Sequence, residues 1–188
     1  VRTILILTCC CTIASLATGA PAPHHGKPPP HKPPVTSAHI PKKPTHYNPN
    51  YHIPGSQNWS GPHYIVFKNY HPHSHNQVWW QSHYNHIVFV FGGWYYWDAG
   101  YWYPSWGYAP NLYYAYDGPI YASSPNVDPG QVVANVQSAL QQQGYYQGEI
   151  DGMLGSDTRA ALAEYQQAQG LETTGAIDEP TLQSLGLA

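Results

Sequence analysis

The sequence predicts an α+β chain: a C-terminal bundle of three short helices, preceded by a small aromatic-rich antiparallel β meander and a disordered Pro/His-rich linker. Three observations predict it. From Asp128 to Leu187, apolar residues recur at helical spacing between residues that start and stop helices. Gln57 to Tyr121 is crowded with Tyr and Trp and carries short β-type runs separated by glycine turns. Pro21 to Pro54 holds eleven prolines, which favour an extended, solvated chain with no packed core. The expected divisions are 1–19 as an export signal, 20–56 as linker, 57–125 as the aromatic segment and 126–188 as the helical module.

The first segment is read from its apolarity. Arg2 is the only charge ahead of Lys27, and Thr3 to Ala17 is an uncharged, largely apolar run. That run is shorter than the ~20 residues a helix needs to span a bilayer. Small residues follow it, so it is expected to be a secretory signal peptide cut after Gly19, with an uncleaved anchor as the alternative. No stable membrane span would remain after cleavage. Cys9, Cys10 and Cys11 all lie inside this run. The mature chain is therefore expected to lack disulfides, thiolate ligands and a cysteine nucleophile.

The linker is expected to hold later parts of the chain away from a surface. Charge divides the sequence in two. Before Asp98 there are six basic residues and no acid; from Asp98 onward there are ten acids and one base, Arg159. Five lysines spread over the front are too sparse to make a strong field, so nucleic acid is not an expected partner.

In the aromatic segment, Tyr64-Ile65-Val66-Phe67 and Ile87-Val88-Phe89-Val90-Phe91 read as strands. Gly92-Gly93 separates the second run from Trp94-Tyr95-Tyr96-Trp97, as in a tight hairpin. Asp98-Ala99-Gly100 makes a further turn before Tyr101-Trp102-Tyr103-Pro104, and Pro104 to Tyr121 is expected to be an irregular tail. Along a strand, Trp94 and Tyr96 share one face while Tyr95 and Trp97 share the other. Both faces are aromatic, so each is covered by packing, presented to a glycan, or used as an interface. His71, His73 and His75 alternate nearby, a pattern that can bind Zn, Cu or Ni. Pro72 interrupts the run, and no carboxylate stands close in sequence to orient the rings, so no metal or other cofactor is expected.

In the helical module, Asp128 caps the first helix and Pro129 occupies its first position. Val133, Val136, Gln137 and Leu140 form the inward stripe, and Gly144 ends the helix. Ser156 or Asp157 caps a second helix running to about Gln169, with Ala161, Leu162 and Tyr165 inward. Gly170 stops it and Leu171 packs back. Asp178 caps a third helix with Pro180 in its first turn, Leu182 and Leu185 facing the core, and Gly186 at its end.

The order Val136-Gln137, Leu140, Gly144-Tyr145-Tyr146, Gly148, Ile150-Asp151-Gly152, Gly155 and Thr158 resembles the peptidoglycan-binding domain of the type 1 family. Its continuation also fits: Ala161-Leu162, Tyr165-Gln166, Gly170-Leu171, Thr174-Gly175, Ile177-Asp178, Thr181-Leu182 and Leu185-Gly186. Tyr165 stands where the family more often has Phe, and Ser156 where Pro is frequent. The resemblance implies a three-helix fold that holds peptidoglycan, by its stem peptide or adjoining glycan, without cutting it. It directs attention to Tyr145, Tyr146, Asp151, Gly152, Thr158 and Arg159 around the Gly144–Thr158 loop. Arg159, the one cation of the module, is the candidate for a wall carboxylate.

Catalysis is not expected. Glycan hydrolysis usually needs two carboxyl groups, and only Asp98, Asp117 and Asp128 precede the module's helices. No His-Glu-x-x-His occurs. The sequence thus predicts a non-catalytic protein exported to the periplasm or wall that binds peptidoglycan. The alternatives are an envelope adaptor whose aromatic segment binds a protein or glycan, and a metal-binding envelope protein using its histidines.

Overall fold

The structure is a computed structural model that describes residues 46–188. The expected export signal, its cysteines and residues 20–45 of the linker lie outside the described residues. From His46 onward the chain packs. Tyr51 sets its ring edge-on to Tyr70 at 6.5 Å, and Ser56 is fully buried in a 3-10 turn, Ser56–Asn58.

The Tyr64–Phe67 run is not a strand. A 3-10 turn, Pro62–Tyr64, leads directly into a one-turn helix α1, Ile65–Lys68. Gly61 at φ 112 turns the chain inward, and Pro62 presets the first helical φ. Tyr64 and Phe67, three residues apart, then land on one face and close over Trp59. No strand pairs with this run, so its β propensity is overridden by packing. The histidine-rich stretch contains a second helix absent from the sequence reading, α2, Gln77–His83. Asn76 caps it by accepting from the Trp79 N–H at 2.9 Å.

Four antiparallel strands follow in sequence order: β1 Ile87–Val90, β2 Gly93–Asp98, β3 Tyr101–Pro104 and β4 Ile120–Tyr121. The expected hairpin is present, with its loop at Phe91-Gly92 rather than Gly92-Gly93, because Val90 pairs with Gly93. Phe91 and Gly92 have φ 47 and 86, and Ala99 and Gly100 have φ 46 and 89. Two consecutive positive φ values mark the I′ turns that match strand twist. Past β3, Ser105 to Pro119 is irregular as expected, but the chain returns to add the short β4 beside β3.

The two aromatic faces of the sheet are both covered. Trp94, Tyr96 and Tyr103 pack with Trp80 of α2 and Tyr108. Tyr95, Trp97 and Trp102 face the other way, into one cluster with Val133, Val136, Leu140, Leu162 and Ile177. The aromatic segment and the helical module therefore share one core, and covering rather than exposure explains most of the rings.

The module has the three expected helices: α3 Pro129–Gln142, α4 Ser156–Ala168 and α5 Glu179–Leu185. Asp128 and Asp178 cap α3 and α5 by accepting from the N–H of Gln131 and Thr181. The residue before α4 is Gly155, which offers no side-chain cap, so Ser156 and Asp157 fall inside the first turn instead. Asp178 is fully buried, which pushes its carboxyl above the ordinary value of 3.8.

The two turns between helices are built alike. From α3, fully buried Gln137 accepts from the Gly152 N–H at 2.9 Å and donates toward Asp151, Met153 O and Thr158 Oγ1. From α4, fully buried Gln166 accepts from the N–H groups of Thr174 and Gly175 at 2.9 and 2.8 Å. It donates toward Thr174 Oγ1, Ala176 O and Thr181 Oγ1. A primary amide carries an acceptor and two donors, so one side chain in each helix can template the backbone of the next turn.

Candidate functional site

The six residues singled out from the sequence fall into two groups. Tyr146, Asp151, Gly152 and Thr158 converge on Gln137. The Tyr146 hydroxyl lies 3.3 Å from its amide nitrogen and donates to Glu149 O at 2.8 Å. Asp151 accepts from that nitrogen and from the Met153 N–H, both at 2.8 Å. Thr158, 1% exposed, donates to Met153 O at 3.1 Å. Gly152 has φ +71, which favours glycine. These four groups fix the loop from inside. Tyr145 is half-buried beside them and meets Tyr165 edge-on at 5.4 Å.

The aromatic segment reaches this loop. The Tyr116 hydroxyl donates to Gly152 O, and the Phe91 ring lies 3.2 Å from where a Gly152 side chain would begin. The face of the loop at Gly152 is therefore closed by the aromatic segment.

Arg159 is apart from the Gln137 group. It lies in the first turn of α4, one residue after Thr158, and its side chain points to the seam between the module and the aromatic segment. There its Nη2 donates to Asp117 Oδ1 at 3.3 Å, with both side chains about one-third exposed. The pair opens onto a cleft of ≈ 360 Å³. Tyr51, Trp59 and Phe67 line it from the aromatic side, and Leu154, Thr174 and Ala176 from the module. Burial, then the neighbouring Asp117 carboxylate, push the Tyr51 hydroxyl far above its usual range. Further along the seam, the Ser60 N–H donates to Glu172, His63 Nδ1 sits 2.9 Å from Glu179, and the Tyr121 N–H donates to Ile177 O.

Sequence reading identified Arg159 but missed Asp117 and Tyr51, which precede it by 42 residues and more. It placed Gln137 on the inward stripe without its role. The signal for that role was present: Gln137, Gly152 and Thr158 recur as Gln166, Gly175 and Thr181, with six residues from Gly to Thr in both.

The histidines join aromatic stacks. His75 and His83 lie on opposite faces of the Trp79 ring at 3.6 and 3.9 Å. Burial lowers the His73 imidazole below its usual range, and its ring packs near His75 and Trp80. Among the described residues, no group of three or more His, Cys, Asp or Glu is placed to hold a metal ion. Among the same residues, no helix is long and apolar enough to cross a membrane.

Residues 129–185 match the family described as "Putative peptidoglycan binding domain". The C-terminal module is a member of that family; the chain before it lies outside the match. The chain is 42% identical over 69 residues to Localization factor PodJL of Caulobacter vibrioides, covering 35% of this chain and 7% of that protein. It is 38% identical over 77 residues to N-acetylmuramoyl-L-alanine amidase CwlM of Mycobacterium tuberculosis, covering 41% of this chain and 17% of the amidase. The chain thus spans a small part of the length of these relatives. No solved structure matches it significantly.

Proposed function

We propose that this chain is a non-catalytic, exported protein of the periplasm or cell wall that holds peptidoglycan through its C-terminal module. The family match over 129–185 carries this reading, and the similarity to part of a wall amidase supports it. Arg159 is one ligand contact, and half-buried Tyr145, beside the Gln137 group, is a second. Tyr146, Asp151, Gly152 and Thr158 serve as the frame that keeps the loop and the start of α4 in place. Their hydrogen bonds are directed into the protein, which favours a framing role. A stem peptide is the favoured moiety, because the cleft beside Arg159 offers opposite charges and hydroxyls at its polar end. The test is co-sedimentation of the full chain with purified sacculi at low and moderate salt. Pelleting that Arg159→Gln reduces severalfold is the expected result, and absence of pelleting by the native chain would end the reading.

A second reading is favoured by one surface. Phe89, Phe91 and Tyr113, each at least half exposed, surround the β1–β2 turn, where a side chain at Gly92 would meet Tyr113 O. Such a patch suits an envelope adaptor that docks a protein. The similarity to part of a protein named as a localization factor is in keeping with it. Phe89→Ser would leave sacculus pelleting unchanged and remove a partner recovered by crosslinking.

A further inference from the structure

The cleft between the aromatic segment and the module has a polar end of unusual composition. One cation and one anion, Arg159 and Asp117, face each other through a single contact of 3.3 Å. Charge-assisted N–H···O bonds are usually shorter, roughly 2.7–2.9 Å. Among the described residues this is the guanidinium's one hydrogen bond out of five possible donors, and Arg159 lines the cleft. The Tyr51 hydroxyl also neighbours Asp117. The remaining wall is apolar. The Trp59 indole, 6% exposed, is occupied by edge contacts with Tyr64 and Phe67 at 6.1 and 5.6 Å, so it offers no open face for stacking on a sugar ring. The volume, ≈ 360 Å³, lies in the range of small-molecule sites, roughly 300–1,000 Å³.

A ligand with one charge would satisfy one partner of the pair and leave the other facing a like charge or nothing. A ligand carrying a carboxylate and an ammonium on the same carbon satisfies both, exchanging one long contact for two charge-assisted pairs. We propose that the seam cleft binds the free amino-acid end of a peptide side chain, with Arg159 taking its carboxylate and Asp117 its ammonium. This rests on the wall-binding reading and names the part of the stem peptide that is held: the zwitterionic end of an uncrosslinked diamino-diacid residue. The aliphatic portion of that side chain would lie along the apolar wall of Trp59 and Phe67.

The test is calorimetric titration of the full chain with two muramyl tripeptides. They differ only at the third residue, which is meso-diaminopimelate in one and L-lysine in the other. Both carry the side-chain ammonium; one lacks the side-chain carboxylate. The native chain is expected to bind the diaminopimelate probe about tenfold tighter, equivalent to ~1.4 kcal/mol. Arg159→Gln is expected to erase that preference without weakening the lysine probe, whereas Asp117→Asn weakens both. A merely structural role for either residue would not separate the probes in this way, and unchanged melting temperatures would exclude misfolding. Equal affinity of the native chain for the two probes overturns the proposal, as does an equal loss for both in Arg159→Gln. If the native chain pellets with sacculi yet binds neither probe, the cleft assignment fails and wall binding stands. If it does not pellet, both fall.

Discussion

The helical module and the aromatic segment share a core but are specified by different forces. In the module, two buried amides decide where the backbone goes. Gln137 and Gln166 each bind N–H groups of the following turn, and a threonine six residues past the turn glycine completes both networks. In the aromatic segment the deciding quantity is ring volume. Trp80, Tyr95 and Trp102 are almost fully buried, and neighbouring rings meet at varied tilts, from 19° between Tyr96 and Tyr103 to 88° between Trp79 and Trp80. Hydrogen bonds have narrow geometry, whereas aromatic pairs tolerate a broad range of angles. The module is therefore written into a regular motif, and the aromatic segment into a composition.

That contrast predicts unequal responses to conservative change. The largest effect is expected for Gln166→Leu. It keeps the volume but orphans the N–H groups of Thr174 and Gly175, at about 4 kcal/mol in total. Gln137→Leu orphans one N–H, that of Gly152, and should cost about half as much. Denaturant unfolding of both variants measures the ratio, and equal losses would break the argument that bound N–H groups set the cost.

Gly152→Ala comes next, at about 2 kcal/mol. Its Cβ would sit 2.9 Å from Gly130 O at a φ of +71. The same change should loosen Phe91 and Tyr116, seen as altered near-ultraviolet circular dichroism. A variant as stable as the native protein would show that the aromatic segment does not press on this loop.

Tyr96→Phe preserves the ring and should cost less than about 1 kcal/mol although Tyr96 is 5% exposed. A loss comparable to Gln166→Leu would erase the distinction between the two regions. The last effect is of similar size and opposite sign. Ala99 holds φ 46 in the β2–β3 turn, where Asn-Gly is the favoured pair, so Ala99→Asn should stabilise by ~1 kcal/mol in thermal melts.

The same contrast explains how much was legible in the sequence. The helices of the module could be read because caps and stops are local: Asp128, Gly144, Gly170, Asp178 and Gly186 act within a few residues of themselves. α4 starts one or two positions earlier than the Ser156 or Asp157 cap read from the sequence implies, because Gly155 occupies the cap without a side-chain bond. The hairpins were legible from Gly92 and Gly100. The Tyr64–Phe67 run was misread because its β-type side chains are spent on Trp59, and nothing in its own composition states that no strand pairs with it. The helix Gln77–His83 was hidden by histidines, although Asn76 before Val78-Trp79-Trp80 was an available cap signal. In the candidate site, Arg159 could be found as the module's one cation. Its partner Asp117 could not, because the two meet only after the aromatic segment folds against the module.

The central claim is that two regions held by different forces form one cooperative unit. All seven tryptophans lie between Trp59 and Trp106, so tryptophan fluorescence reports the aromatic segment and, through Trp97 and Trp102, its face against the module. Circular dichroism at 222 nm reports chiefly α3, α4 and α5, the longest helical stretch of the described chain. Urea unfolding of the full chain followed by both signals tests the claim directly. A shared core predicts coincident transitions with one midpoint. Two separated transitions, with the helical signal persisting after the tryptophans are exposed, would contradict it.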